Sequence, residues 1–379
     1  MLTNFKRDAN EEFYKYINDL VPSLMKKYSV PGLAIAFIDH KEVFFKKVYG
    51  FSDKANKKQI DYNTIFQVAS ISKTFTAWGI MKLVQEGKIS LDDPVGKHLL
   101  SWKLPQSKYN EAVTIRRILN HTAGLSTHGY KGYQPNKRNI SLKDSLDGTF
   151  NKKSSVRIIA EPGKSVKYSG GGYTVLQLLM EDLLKMDFSE YMKKEILMPI
   201  GMKDSSFEYK ECVNKDLSKG YGYFGNALPN YIYTEKAAAG LYTTIDDMVE
   251  FMLETLNTND NGSNGVLNNE SISSMWTRVN REVPYGLGYH LIKMPKERIV
   301  LNYGVNRGWR SRFIILPNTN NAMVVLTNSN TGNNLIKEIA LKWLQWKIGD
   351  VSEFYKRELN LTPLNKFTDL LNTCIEYLS

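Results

Sequence analysis

Ser70 and Lys73 stand three residues apart in the segment Phe66-Gln67-Val68-Ala69-Ser70-Ile71-Ser72-Lys73-Thr74-Phe75. Apolar residues recur at Ile71, Phe75, Trp78, Met81 and Val84, which form one face of a helix, and Gly87 follows as its C-terminal cap. Ser70 therefore lies at the helix N-terminus, with Lys73 one turn further on and on the same side. This pair could do nucleophilic chemistry. A serine hydroxyl needs an adjacent base, and lysine can be that base only when neutral. Bringing its pKa from about 10.4 to near 7 takes roughly 4 kcal/mol of destabilisation of the cation. Burial and the positive end of a helix dipole both act in that direction, and the N–H groups at the helix start could stabilise an oxyanion. The tetrapeptide alone leaves a second reading open, with Ser70 as an N-cap and Lys73 as a solvated helix residue.

A second stretch runs Glu161-Pro162-Gly163-Lys164, then Val166-Lys167-Tyr168-Ser169-Gly170-Gly171-Gly172-Tyr173, and leads into another helix pattern. The glycines lack the Gly-Lys-Ser/Thr ending of a phosphate loop, so a nucleotide site is not indicated. Tyr168, just before a tight glycine turn, reads as a phenol held at a junction between lobes. His121 reads as a packed or capping residue. Asp92-Asp93 and Asp246-Asp247 read as turn and helix-start residues rather than an acid pair. Trp309, Tyr303 and Tyr289 could either line a cleft or pack in the core. No His-Glu-x-x-His spacing is present, so neither a metal nor a cofactor is expected.

The elements that must position these groups follow from periodicity. Helical spacing occurs at Asp8–Lys27, Ser70–Glu86, Val175–Lys185, Ser189–Leu197, Asp246–Leu256 and Leu335–Ile348. Asp187 with Glu190 forms a capping-box pattern, and Thr244 precedes a helix start. β-rich runs occur at Leu33–Ile38 and Val43–Val48, then at Arg298–Asn302, Arg312–Leu316 and Ala322–Thr327, with Asn318–Asn321 as a turn. Strands at both ends with helices between them predict an α/β (α+β) fold. One antiparallel sheet is assembled from the two termini and flanked by helices, with an all-helical inserted lobe. The expected boundaries are a domain over 1–350, with a sheet lobe over about 1–65 and 236–350 and a helical lobe over about 66–235. A helical appendage is expected over 351–379.

Composition narrows the function classes. In 379 residues there are 50 Lys plus Arg and 39 Asp plus Glu, so the net charge is 50 − 39 = +11. The basic residues come in pairs such as Lys46-Lys47 and Arg116-Arg117 with acids between them, so nucleic-acid binding is not expected. Two cysteines, Cys212 and Cys374, exclude a disulfide scaffold. No run approaches the roughly 18 apolar residues of a membrane span, so no integral membrane segment is expected. The segment after Met1 has no apolar signal core. A cytoplasmic protein is expected, or a cell-envelope or secreted one if a leader has been removed.

The chain resembles the serine β-lactamase and penicillin-binding-protein superfamily, in the branch of class C β-lactamases, D-amino-acid peptidases and related esterases. The resemblance covers roughly residues 20–345. Ordered landmarks carry it: Val30-Pro31-Gly32, Ser70-Ile71-Ser72-Lys73, Leu91-Asp92-Asp93-Pro94-Val95, Ile118-Leu119-Asn120-His121-Thr122-Ala123-Gly124-Leu125, Glu161-Pro162-Gly163, Tyr168-Ser169-Gly170, Met198-Pro199-Ile200-Gly201-Met202, Ala239-Gly240-Leu241 and Tyr285-Gly286-Leu287-Gly288. It implies a β-lactamase/transpeptidase-like fold and a serine hydrolase. Ser70 would be acylated, and Lys73 and Tyr168 would share base and acid work. The N–H groups of Ser70 and Val305 would form the oxyanion hole. Gly170, Asn302, Tyr303, Gly304 and Asn306 would contact a small-molecule or peptide substrate. Two positions depart from the family. Gly170 stands where asparagine is usual, and Asn302 stands where lysine or histidine is usual. The five histidines (His40, His98, His121, His128 and His290) all lie off the 298–305 strand, so a substrate carboxylate loses its cationic anchor there. Arg307 and Arg310 are candidates to replace it. Esterase or peptidase activity is therefore expected over true β-lactamase activity. The alternative is a catalytically weak penicillin-binding, sensory or self-assembling member of the fold.

Overall fold

The structure, a computed structural model, describes residues 2–135, 140–258, 265–352 and 354, with side chains from residue 10 onward. Among the described residues there are nine strands: β1 Gly32–Asp39, β2 Glu42–Asp53, β3 Lys58–Gln59, β4 Phe66–Gln67, β5 Tyr242–Thr243, β6 His290–Lys293, β7 Arg298–Asn306, β8 Trp309–Leu316 and β9 Asn321–Thr327. Seven of them form one antiparallel sheet in the order β3-β2-β1-β9-β8-β7-β6. Its first and last strands in chain order, β1 and β9, meet at its centre, with Ile35 opposite Val325. This is the expected fold class.

The run Leu33–Ile38 is apolar throughout because both faces of β1 are covered. Leu33, Ile35 and Phe37 point to one side, where they pack with Ile17, Val21 and Leu24 of the N-terminal helix Leu2–Tyr28 and with Ile339 and Trp343 of the C-terminal helix Gly332–Ile348. Ala34, Ala36 and Ile38 point to the other side, into a core that includes Phe251 and Met252 of helix Ile245–Thr258. The small alanines allow that helix to lie close to the sheet.

Between β3 and β5 the regular elements among the described residues are helical, apart from the two-residue β4, and long loops join them. Helix Ser72–Gln85 packs against helix Gly170–Leu184, and both pack against the short helix Lys236–Ala239. Gly87 ends the first of these at φ +70°, as its position predicted. Asp187 caps helix Phe188–Met192 by accepting the Ser189 N–H at 2.7 Å. The helical run continues through a π turn, Lys193–Leu197. Asp92 pairs with Arg116, and Asp93 with Lys97 and His98, which makes them structural as expected. Trp309 and Tyr289 are core residues, and Tyr289 accepts a hydrogen bond from Trp78 at 2.8 Å. β6 was not anticipated, and β7 runs four residues beyond the expected Asn302. The expected appendage 351–379 falls almost entirely outside the described residues. Among the described residues, no helix is long and apolar enough to cross a membrane.

Candidate active site

The chain enters the site through β4, which pairs with β5, and the Val68 N–H donates to Leu241 O at 3.1 Å. A 3-10 turn, Ala69–Ile71, then leads into helix Ser72–Gln85. Ala69 sits at φ +50°, a left-handed conformation costing an alanine roughly 1–2 kcal/mol. This turn holds Ser70 at its tip. The capping alternative for Ser70 fails, because neither the turn nor the helix has a side-chain N-cap bond. Instead, Ser70 Oγ lies 3.1 Å from Lys73 Nζ.

Lys73 is 3% exposed, so it is not a solvated helix residue. Its Nζ donates to Ala238 O at 2.7 Å, and burial lowers its pKa from 10.5 to about 7. The ammonium would lie 5.1 Å from the Tyr168 ring centroid and 5.7 Å from that of Tyr173. Burial raises the Tyr168 phenol to about 12, with a hydrogen bond to Ser70 opposing the shift. Tyr168 is therefore a neutral phenol near pH 7.

His121 packs on Tyr168 with ring centroids 4.2 Å apart, and Nδ1 accepts the Ser169 N–H at 3.2 Å. Burial, then the charge of Lys73, hold the imidazole pKa well below its ordinary value. Tyr285 stands edge-on to His121 at 5.0 Å. His121 is thus packed, as expected, but what it packs against is the phenol of the site. The structure also adds Ala238, Thr74 and Tyr285 to this neighbourhood. The motifs around His121 and Ala239 signalled the region but not these contacts.

β7 brings in the other expected residues. β6 pairs only with Arg298–Leu301, so from Asn302 to Asn306 the ladder continues on the β8 side alone. The serine-bearing turn packs against this stretch. Gly304 allows the approach, since a Cβ there would lie 2.0 Å from Val68 O. Val305 follows and is 51% exposed. Asn302 donates through Nδ2 to Thr74 Oγ1 at 2.8 Å and to Gly288 O at 3.3 Å, and its Oδ1 accepts the Tyr303 N–H. Its amide thus ties β7 to the first turn of the nucleophile helix. Tyr303 is half-buried, with the Arg312 guanidinium over its ring. Asn306 donates to Gln67 Oε1 at 3.1 Å and to Ala239 O at 3.3 Å. Arg307 stacks on Tyr231, and Arg310 donates to Asn306 O, Trp309 O and Tyr223.

The glycine run differs from the expected tight turn. Gly170-Gly171-Gly172 form the first turn of helix Gly170–Leu184, capped by Ser169 Oγ, which accepts the Gly172 N–H at 2.9 Å. The bare Cα atoms admit the neighbouring loop. A Cβ on Gly170 would lie 3.1 Å from His128 O, and one on Gly171 would lie 2.9 Å from Ser126 O. Gly170 is itself buried, and its N–H donates to His128 O at 3.0 Å.

A family model described as Beta-lactamase matches residues 17–344. The chain is 26% identical over 327 residues to protein flp of Staphylococcus aureus (strain MW2), covering 83% of this chain and 63% of flp, so it spans less than two thirds of that relative. It is 24% identical over 331 residues to penicillin-binding protein 4* of Bacillus subtilis, covering 83% of this chain and 71% of that one. The octameric penicillin-binding protein homologue from Pyrococcus abyssi superposes with a TM-score of 0.76 at 26% identity, covering 89% of this chain and 78% of that one. On the family match and the shared fold, this chain belongs to the beta-lactamase family.

Proposed function

We propose that the protein is a serine hydrolase that acts through an acyl-enzyme on Ser70, with a small ester or amide as substrate. One observation carries this reading. Lys73, with a pKa of about 7, lies 3.1 Å from Ser70 Oγ and is held by a neutral carbonyl rather than by a carboxylate. A neutral amine donating to Ala238 O turns its lone pair toward the serine hydroxyl. It takes the proton as Oγ bonds to the substrate carbonyl carbon. The N–H groups of Ser70 and Val305 hold the oxyanion. The bond to the leaving group then breaks, and the proton passes from Lys73 through the neutral phenol of Tyr168 to that group. Water reverses the sequence at the acyl-enzyme. Asn302 is uncharged and already bonded to Thr74 and Gly288, which supports ester or amide hydrolysis over β-lactam hydrolysis.

A second reading is acylation with slow turnover, as in a penicillin-binding or sensory protein. It is favoured by Gly170, which offers no side chain beside Tyr168. Intact-protein mass spectrometry after exposure to a fluorophosphonate or a penicillin tests the shared chemistry. One adduct is expected on the wild type and none on Ser70→Ala. An equal adduct on both, or none on either, refutes the role of Ser70. Steady turnover of a p-nitrophenyl ester that Ser70→Ala abolishes separates the first reading from the second.

A further inference from the structure

We propose that His128 is a specificity-determining residue of this site, forming the wall against which a substrate's leaving group lies. The inference rests on the reading that Tyr168 delivers a proton to that group. His128 is exposed, and its ring lies 4.9 Å from the Tyr168 ring, tilted by 41°. A group accepting a proton from Tyr168 therefore sits beside an accessible imidazole face. Such a face favours flat, aromatic or conjugated leaving groups, through offset or edge contacts.

Independent details show that the placement is built into the fold. Thr127 holds φ +64°, where a β-branched residue is a true outlier, and this turn directs the following residue onto Tyr168. Thr127 Oγ1 donates to Ser154 O at 2.9 Å, which pins the strained position from the other side. The Gly170 and Gly171 N–H groups donate to His128 O and Thr127 O, both at 3.0 Å. They come with a close approach: a Cβ at 171 would lie 2.9 Å from Ser126 O, and one at 170 would lie 3.1 Å from His128 O. The glycines that remove a side chain beside Tyr168 are thus the same residues that seat His128 over it.

The test uses two alkylphosphonates that label Ser70, identical except that one releases fluoride and the other p-nitrophenolate. The quantity read is the ratio of their labelling rate constants, which needs no turnover. His128→Ala should lower the p-nitrophenyl rate by between about twofold and tenfold, the worth of one aromatic contact, and leave the fluoride rate within twofold. His128→Phe, which keeps a flat ring, should restore the ratio. Gly171→Ala, whose Cβ would lie 2.9 Å from Ser126 O, should lower it as His128→Ala does, by displacing the loop. Labelling with an unchanged ratio in His128→Ala, or an equal fall with both reagents, overturns the role of His128 alone. No labelling of the wild type by either reagent instead overturns the serine mechanism on which it rests.

Discussion

Replacing Lys73 with methionine should stabilise the protein at low pH and do so less as the pH rises. The folded lysine releases its proton near 7, whereas the unfolded one does so at 10.5. That gap is equivalent to about 5 kcal/mol. Below about pH 7 both states carry the proton, so the folded state bears the full penalty of a buried cation. Between about 7 and 10.5 only the unfolded chain binds the extra proton, so wild-type stability rises with pH by about 1.4 kcal/mol per unit. At pH 9 the penalty has therefore fallen to about 2 kcal/mol. Methionine fills similar volume without charge, but it leaves Ala238 O without its donor, an offset of about 1–3 kcal/mol at either pH. The variant should thus be more stable than the wild type by about 2–4 kcal/mol at pH 6 and nearly equal to it at pH 9. Denaturant unfolding of both proteins at the two pH values measures this. A stability difference that stays constant between pH 6 and pH 9 would refute a lysine that titrates near neutrality inside the fold.

Two further outcomes follow from the same geometry. The rate of Ser70 labelling by a fluorophosphonate should fall about tenfold per pH unit below about 7 and level off above it, because only neutral Lys73 accepts the serine proton; a flat profile from pH 5 to 9 would exclude Lys73 as the base. Gly304→Ala places a Cβ where Val68 O now lies, 2.0 Å away, and so forces β7 from the serine turn. With the Val305 N–H displaced, labelling should drop by roughly 100-fold or more while the circular dichroism spectrum is kept; unchanged labelling would remove Val305 from the oxyanion hole.

How much of this was legible in the sequence depended on the range of each interaction. The two central strands and the nucleophile helix showed themselves through local periodicity. Ser70 and Lys73 lie three residues apart where a 3-10 turn runs into a helix, so their proximity could be read directly. β6 escaped because His290–Lys293 is four residues long and lies among glycines and prolines that mask its pattern. The Ala238 carbonyl that holds Lys73 is 165 residues away, and no local pattern encodes such a contact. The glycine run looked like a turn because a helix rarely starts with three glycines. Its reason lies in the opposing loop, which only the folded chain brings near. Asn302 was correctly seen to lack charge, but the hydroxyl and carbonyl that engage its amide became visible only in three dimensions.

The pairing of β1 with β9 also sets the order in which function can arise. Ser70 and Lys73 leave the ribosome early, but the strand carrying Val305 is made more than 230 residues later. The central strand β1 waits for β9, the last strand among the described residues, to gain its second neighbour. Contacts of such long range make sheet closure a slow and late event in folding. On the proposed mechanism, a nascent chain would carry its serine without the β7 half of the oxyanion hole, and reactivity toward acyl groups would be withheld until β7 to β9 have been made.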